Sequence, residues 1–188
     1  MSVARIAAAH ARRQVAMARR TSRETTRLWR RADPGNIAAS WRQLLPSAIA
    51  LVTRSQTMAA ASASTYVGDV ASSYGDDVTR GRLVASAFSG VASDGRSLTE
   101  LLEQPVSTVL KQLAAGQRPA RAMTGGALAL DMLVRTQLAD AGRVADGVAV
   151  AIRPQLTGYV RMLVGNTCSR CLLLAGRRYE WNDGFLRH

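Results

Sequence analysis

The sequence has 188 residues, of which 47% are hydrophobic, 5% aromatic and 20% charged. This length suits one domain with a substantial core, or a small domain with an extension. Abundant alanine and few aromatic residues disfavour a strand-rich sandwich and favour helices packed through small side chains. The formal net charge of +12 indicates an anionic partner, either nucleic acid or an acidic protein surface.

The positive charge is concentrated at the two ends of the chain. Residues 1–31 hold nine arginines and one acidic residue, whereas residues 32–151 hold ten basic and ten acidic residues. Residues 152–188 hold six arginines and two acidic residues, and Lys111 is the single lysine. The N-terminus lacks the apolar core of a signal peptide, and no apolar run is long enough to span a bilayer. We therefore expect no membrane association.

A single amphipathic helix is predicted for residues 3–31, which contain no Gly or Pro and many Ala. The arginines of this helix fall within an arc of roughly 120°. Guanidinium groups pair with phosphate or carboxylate oxygens, so this face is a candidate for binding DNA or an acidic partner. The alternatives are a solvated face, or an arm that orders only with its partner. The arginines are Arg5, Arg12, Arg13, Arg19, Arg20, Arg23, Arg27, Arg30 and Arg31.

A second helix is predicted to begin after Asn36, whose side chain would cap it. Pro46 is expected to kink this helix or to begin a new one. A shorter helix over residues 77–89 and a loop over residues 90–95 follow. The second helix carries an apolar seam formed by Trp41, Leu45, Ala48 and Val52.

The third and fourth helices are predicted from their end signals. Ser97 and Glu100 form a capping box, Pro105 is expected to restart the third helix, and Gly116 ends it. Pro119 then opens a fourth helix that continues as far as Pro154. The Gly125-Gly126 pair within it indicates close packing or a hinge, because each glycine costs about 1 kcal/mol relative to Ala.

The last segment contains both cysteines, in Cys168-Ser-Arg-Cys171, and reaches His188. A C-x-x-C turn can direct two thiolates towards one zinc ion, and His188 would add a third ligand. A closed structural site needs four ligands, so the fourth would have to follow His188. A redox dithiol and two buried thiols are the alternatives. The two cysteines do not form a secreted disulfide framework, so a reducing compartment is expected.

The secondary structure predicted near the cysteines is mixed. Residues 156–164 are expected to form a short helix, and strands are expected only after residue 166. Residues 172–174 and 177–181 are predicted to pair as a β-hairpin. We therefore predict a mainly α protein with a basic amphipathic helical arm (1–33), a multi-helix body (34–164) and an incomplete, hairpin-like module containing the C-x-x-C motif (165–188).

The segment CSRCLLLAGRRYEWNDGFLRH resembles the C-terminal signature of minor head proteins of tailed phages, especially those of actinobacterial phages and prophages. The shared pattern is C-x-R-C-[aliphatic]-x-L-A-G-[RK]-x-Y-x-W-N-x-G-F-x-R-H, which that family typically continues with P-x-C-D-C. LVRTQLADAGRVADGVAV (133–150) is similar to a helix of the broader Mu F-type head morphogenesis family. LWRRADPGNIAASWRQLLPSAIALV (28–52) and GYVR (158–161) fit the same family.

This resemblance implies a structural head component, present in few copies at the portal vertex and active in head assembly and DNA packaging or ejection. It implies a location in the phage head after assembly in the host cytoplasm. The implied partners are the portal protein, the major capsid or scaffold protein, and double-stranded DNA. Zinc is the one cofactor considered, at Cys168, Cys171 and His188, if later residues complete the site.

Two alternative functions follow from the same residues. Some relatives are fused to capsid maturation proteases, so the chain could be the N-terminal part of such a fusion. A serine protease needs a base beside its nucleophile, but His10 lies in a basic helix and Lys111 on an ordinary helix face. We therefore assign no catalytic residue and expect no enzymatic activity. A DNA-binding helical protein would explain the charge but not the terminal signature.

Overall fold

The computed structural model describes residues 2–75, 83–153, 156–163 and 169–180. Four long helices account for most of these residues, which confirms the prediction of a mainly α fold. The elements are α1 (Val3–Trp29), α2 (Ile37–Ser73), α3 (Leu98–Ala114), α4 (Pro119–Ala151), β1 (Tyr159–Val160), α5 (Ser169–Leu173) and β2 (Arg178–Tyr179). Two 3-10 turns lie at Pro34–Asn36 and Ala85–Phe88.

The long helices form a bundle in which α2 and α4 lie at the centre. Near one end, His10 of α1 meets Tyr66 of α2 and Asp146 of α4. At the other end, Trp29 of α1 meets Trp41 of α2. Helix α1 therefore runs antiparallel to both central helices, which run parallel to each other. Helix α3 packs on the opposite side of the α2–α4 pair.

Apolar side chains of different sizes fill the space between α2 and α4. The predicted seam of α2 is confirmed, because Trp41, Leu45, Ala48 and Val52 are all buried. Beyond it lies a second core cluster with several alanines, which let neighbouring helices approach closely. This cluster contains Ala60, Ala63, Val67, Leu83, Ala145 and Ala149.

Trp29 and Trp41 connect all four long helices. Their rings meet edge to face, with 5.0 Å between centroids. Trp29 Nε1 donates to the Met123 carbonyl oxygen of α4 (3.1 Å), and Trp41 Nε1 donates to the Leu102 carbonyl oxygen of α3 (2.8 Å). Both indoles are buried, and each hydrogen bond avoids the loss of about 1–3 kcal/mol that an unpaired buried N–H causes.

Gly126 of α4 makes room for this tryptophan pair. A Cβ atom at this position would overlap Trp29 Cζ2 and would lie 2.7 Å from Val109 Cγ2 of α3. Three helices therefore converge at a point where only a hydrogen atom fits. Of the two interpretations of the glycine pair, close packing is the one that the surroundings of Gly126 support.

The predicted helix ends are largely correct. Ser97 Oγ accepts from the Glu100 N–H at 3.1 Å, and Gly116 has a φ of +78° just after α3, where a residue with a side chain would be strained. Asn36 does precede α2, but its side chain makes no capping hydrogen bond. The Asp33 carboxylate instead caps the preceding 3-10 turn.

Neither internal proline begins a new helix. Pro46 lies inside α2 and Pro105 lies inside α3, so the predicted restart at Pro105 is wrong. A proline removes one backbone hydrogen bond of a helix. The buried residues before and after each proline belong to the same core cluster, which holds both halves of each helix against the bundle.

The helix predicted for residues 77–89 is wrong in its described part, and residues 77–82 lie outside the described residues. Residues 83 and 84 are not helical, and a single 3-10 turn follows. Tertiary contacts hold this part of the chain instead of local helical bonds, since Leu83 is buried in the second core cluster. Directly after the segment, the Gln56 side chain of α2 donates to the Val91 carbonyl oxygen and accepts from the Gly90 N–H, both at 3.0 Å.

The strands after α4 differ from the prediction. Residues 159–160 form β1, not a helix, and pair antiparallel with β2. Leu172 and Leu173, predicted as a strand, lie in α5. A Cβ atom at Gly158 would overlap the Tyr179 carbonyl oxygen, so the two chain segments can approach this closely because residue 158 is glycine. The pairing is non-local, and a hairpin pattern does not reveal it.

Replacing Gly126 by Ala is expected to destabilise the bundle by about 1–3 kcal/mol, because the added methyl group overpacks the contact with Trp29 and Val109. Gly147→Ala is the matched control in the same helix, since a Cβ atom there meets nothing within 4 Å. The control should gain about 0.5–1 kcal/mol from helix propensity. Urea unfolding measures both changes, and equal stabilisation by the two variants would contradict the close packing at Gly126.

Candidate functional site

The cationic face predicted for α1 lies on the outside of the bundle. All nine arginines are exposed; seven lie in α1, and Arg30 and Arg31 directly follow it, because the helix ends at Trp29 and not at residue 31 as predicted. The buried residues of this helix, which include Ile6, His10, Thr25 and Trp29, lie on the opposite side. Helix α1 has 27 residues, which corresponds to a length of about 40 Å. The arginines therefore form a long, narrow stripe on one side of the protein.

Few of these arginines have a partner among the described residues. Arg20 Nε lies 3.0 Å from Glu24 Oε1, and Arg5 Nε donates to Ser2 Oγ at 3.4 Å. For the other seven side chains, the described part of the chain supplies neither a hydrogen bond nor an ion pair. Their donors stay available to an external carboxylate or phosphate. Outside α1, Arg96, Arg135 and Arg143 do pair with aspartates.

Polar side chains on the inner side of α1 fix its rotation against α2. Gln14 Nε2 donates to the Ala59 carbonyl oxygen (3.0 Å) and to Ser62 Oγ (2.8 Å). Thr21 Oγ1 donates to Ser55 Oγ at 2.8 Å. Hydrogen bonds of this kind contribute about 0.5–1.5 kcal/mol each. These hydrogen bonds hold the polar side of α1 against α2, so the arginines on the other side face solvent.

Asp131 of α4 links α1 to Arg135, so the positively charged surface extends from α1 onto α4. Ser22 Oγ of α1 donates to Asp131 Oδ1, and Arg135 Nε donates to the same oxygen at 2.7 Å. Partial burial alone would raise the pKa of Asp131, but the hydrogen bonds from Ser22 and Arg135 outweigh it, so the pKa is lowered. The ionised carboxylate holds Arg135 beside α1.

A second polar cluster lies near the N-terminus of α1. His10 is only 5% exposed, and its ring stacks on that of Tyr66 of α2 with 4.2 Å between centroids. His10 Nε2 lies 3.1 Å from Asp146 Oδ2 of α4. Burial, and to a lesser degree the charge of Asp146, raise the pKa of Tyr66. This arrangement joins three helices and covers the histidine on two sides.

Neither cluster is predicted by the local patterns of the sequence. Asp146 lies 136 positions after His10, and Asp131 lies 109 positions after Ser22. Local sequence patterns do not indicate contacts between residues so far apart. One signal was present, however. Polar residues such as Gln14 and Ser22 occur on the inner side of α1, where a helix that only covers a core would place apolar residues.

Of the three predicted zinc ligands, only Cys171 lies in the described part of the chain. Cys168 and His188 lie outside the described residues, and Cys171 belongs to α5. Among the residues that are described, no group of three or more His, Cys, Asp or Glu side chains suits a metal ion. Zinc binding at Cys168, Cys171 and His188 therefore stays a prediction.

A family model described as VG15 protein matches residues 1–184, which include α1, its arginine stripe and the whole bundle. The chain belongs to the VG15 family. This is a family of phage gene products, so the chain is a phage protein. No curated protein and no solved structure gives a match. In the described ranges, no helix is both long and apolar enough to cross a membrane.

In this VG15 protein, Asp131→Asn is expected to reduce stability at neutral pH. The loss should not exceed about 1 kcal/mol, because the side chain is 35% exposed and the pairs are screened. The pKa of Asp131 is lowered on folding, so its contribution is present above the ordinary value of 3.8 and is lost as pH falls through the lower folded value. Urea unfolding at pH 7 and in steps below pH 4 measures this difference.

Asp69→Asn provides the control for this measurement, since Asp69 is an exposed residue of α2 for which no ion pair is found among the described residues. The control should change stability little at any pH. A difference between wild type and Asp131→Asn that stays constant from pH 7 to strongly acidic pH would contradict the role of the charged hydrogen bonds.

Proposed function

We propose that this protein is a minor head protein of a tailed phage that associates with the portal vertex and acts in head morphogenesis and in DNA packaging or ejection. Membership of the VG15 family supports a phage virion-related protein. The terminal segment from Cys168 to His188 supports the finer role through its resemblance to minor head proteins. The proposed role is structural, and no catalytic step is assigned.

The observation that carries this proposal is the largely unpaired arginine stripe of α1. Like charges on neighbouring helix positions repel each other, and a single acidic residue, Glu24, lies among the nine arginines. An anionic partner removes that repulsion and uses donors that have no partner in the described residues. The portal protein, the major capsid or scaffold protein, and packaged DNA are the proposed partners.

The bundle supports this role because it presents the stripe in a fixed orientation. Trp29 at one end and His10 at the other are both buried between α2 and α4. A partner that binds α1 therefore need not order a flexible segment, so less conformational entropy is lost on binding. This is the property expected of a protein that joins large assembled structures.

The triple variant Arg19→Ala, Arg23→Ala, Arg27→Ala is expected to lose salt-sensitive co-sedimentation with purified portal rings. If DNA contacts the same stripe, the plot of log affinity against log salt concentration should become less steep. The magnitude of its negative slope should decrease by up to about 3, since each phosphate contact contributes about 0.9. The matched control Arg42→Ala, Arg96→Ala, Lys111→Ala removes the same charge from other exposed positions and should bind as wild type does.

Different outcomes contradict different parts of this proposal. If the triple arginine variant of α1 binds portal rings as tightly as wild type does, the proposed role of the arginine stripe is contradicted. Wild-type protein that does not co-sediment with portal rings under any salt condition would contradict the portal association. Cleavage of capsid precursor by the purified chain would replace the structural role by an enzymatic one.

A further inference from the structure

We propose that α1 and α4 together form a docking surface for an acidic, amphipathic helix of a partner protein. This inference rests on the proposed function and deepens it, because it names the chemistry of the partner. The docking surface is defined as Arg19, Arg23 and Arg27 of α1 together with Leu128, Met132 and Arg135 of α4.

The apolar part of the docking surface is a pair of exposed residues on α4. Leu128 is 66% exposed and Met132 is 63% exposed. They are four positions apart, and Arg135 follows three positions later, so the three side chains lie on one side of the helix. Large apolar side chains this exposed gain free energy when a partner covers them.

This apolar pair lies beside the arginine stripe and not elsewhere on the bundle. Asp131, between Leu128 and Arg135, accepts the hydrogen bond from Ser22 of α1. Val15 lies two helical turns before Ser22, on the same side of α1, and is 48% exposed. Exposed apolar side chains therefore lie on both sides of the border that the Ser22–Asp131 hydrogen bond marks, and arginines flank them on both helices.

The combination of arginine and exposed apolar side chains favours a protein partner over a DNA duplex. Contacts to phosphates are made by charged and polar groups, and a leucine or methionine placed against phosphates gains nothing from burial. Protein interfaces are enriched in Arg and Met and depleted in Lys. The chain has one lysine, Lys111, among its 25 basic residues, and Lys111 lies on α3.

A helix is the partner element that fits this pattern best. A helix with apolar residues at positions i, i+3 or i+4, and i+7 presents a narrow apolar stripe of the kind that binds an apolar groove. Acidic residues beside that stripe would meet the arginines on both sides. Arginine pairs with carboxylates through two parallel hydrogen bonds, which fixes the register of the two helices.

Two synthetic peptides of equal length and charge test the proposal, with a duplex DNA as the third probe. The first peptide is helical, with Leu at each third or fourth position and Glu between. The second has Gln in place of each Leu. The variant Leu128→Gln, Met132→Gln keeps good helix formers at exposed positions, and Leu110→Gln, Met58→Gln is the control with the same two residue types on α3 and α2.

Fluorescence anisotropy is expected to show that the wild-type chain binds the Leu peptide about tenfold more tightly than the Gln peptide, since the apolar contacts are buried only in the first complex. The variant Leu128→Gln, Met132→Gln should lose this preference and should bind DNA as wild type does. The control variant should keep the preference. Urea unfolding of each variant confirms that it is folded.

Equal affinity of the wild-type chain for the two peptides would overturn the proposal, as would an unchanged preference in Leu128→Gln, Met132→Gln. An equal loss of DNA binding in that variant would make the surface a duplex site instead. If portal rings are bound but the peptides are not distinguished, the docking surface fails and the proposed function stands. If the peptides are distinguished but portal rings are not bound, the docking surface stands and the portal association fails.

Discussion

The bundle depends on the contact between Trp29 and Trp41, because this contact sets the positions of all four long helices. Each indole needs both a large apolar space and one hydrogen-bond acceptor. Gly126 provides the space on α4, and the carbonyl oxygens of Met123 and Leu102 provide the acceptors on α4 and α3. A shift of α1 by one turn would remove the fit and a hydrogen bond together. The tryptophans therefore fix the axial position of the helices as well as their separation.

The position of the arginine stripe follows from this packing. The tryptophan contact fixes where α1 ends along the bundle, and Gln14, Thr21 and Ser22 fix its rotation. The remaining surface of α1 is then forced outwards with its arginines. Arg135 joins this surface because Asp131 bonds to both helices. Packing inside the bundle thus determines which charges a partner meets, and in which order along the surface.

Local patterns were sufficient to predict the four long helices, but neither the short elements nor the polar contacts between helices. The apolar seam of α2 and the Ser97 cap are read from neighbours in sequence, and both were correct. The pairing of His10 with Asp146 and of β1 with β2 joins distant segments, which a single sequence does not reveal. Pro105 was misread because a proline rule describes an isolated helix, whereas tertiary packing on both sides keeps α3 continuous. The cationic stripe was predictable because it needs only helical periodicity.

The core residues and the arginine stripe occupy different positions of the sequence, so the two can change at different rates during evolution. Positions such as Gly126 and the central alanines accept almost no change, because a larger side chain there would push two helices apart. Of the arginines of α1, only two make side-chain bonds in the described residues, and both bonds are to neighbours on the same chain segment. Selection can therefore alter the stripe to follow a changing partner without a penalty in folding. Two phages could share this bundle and still assemble with different neighbours.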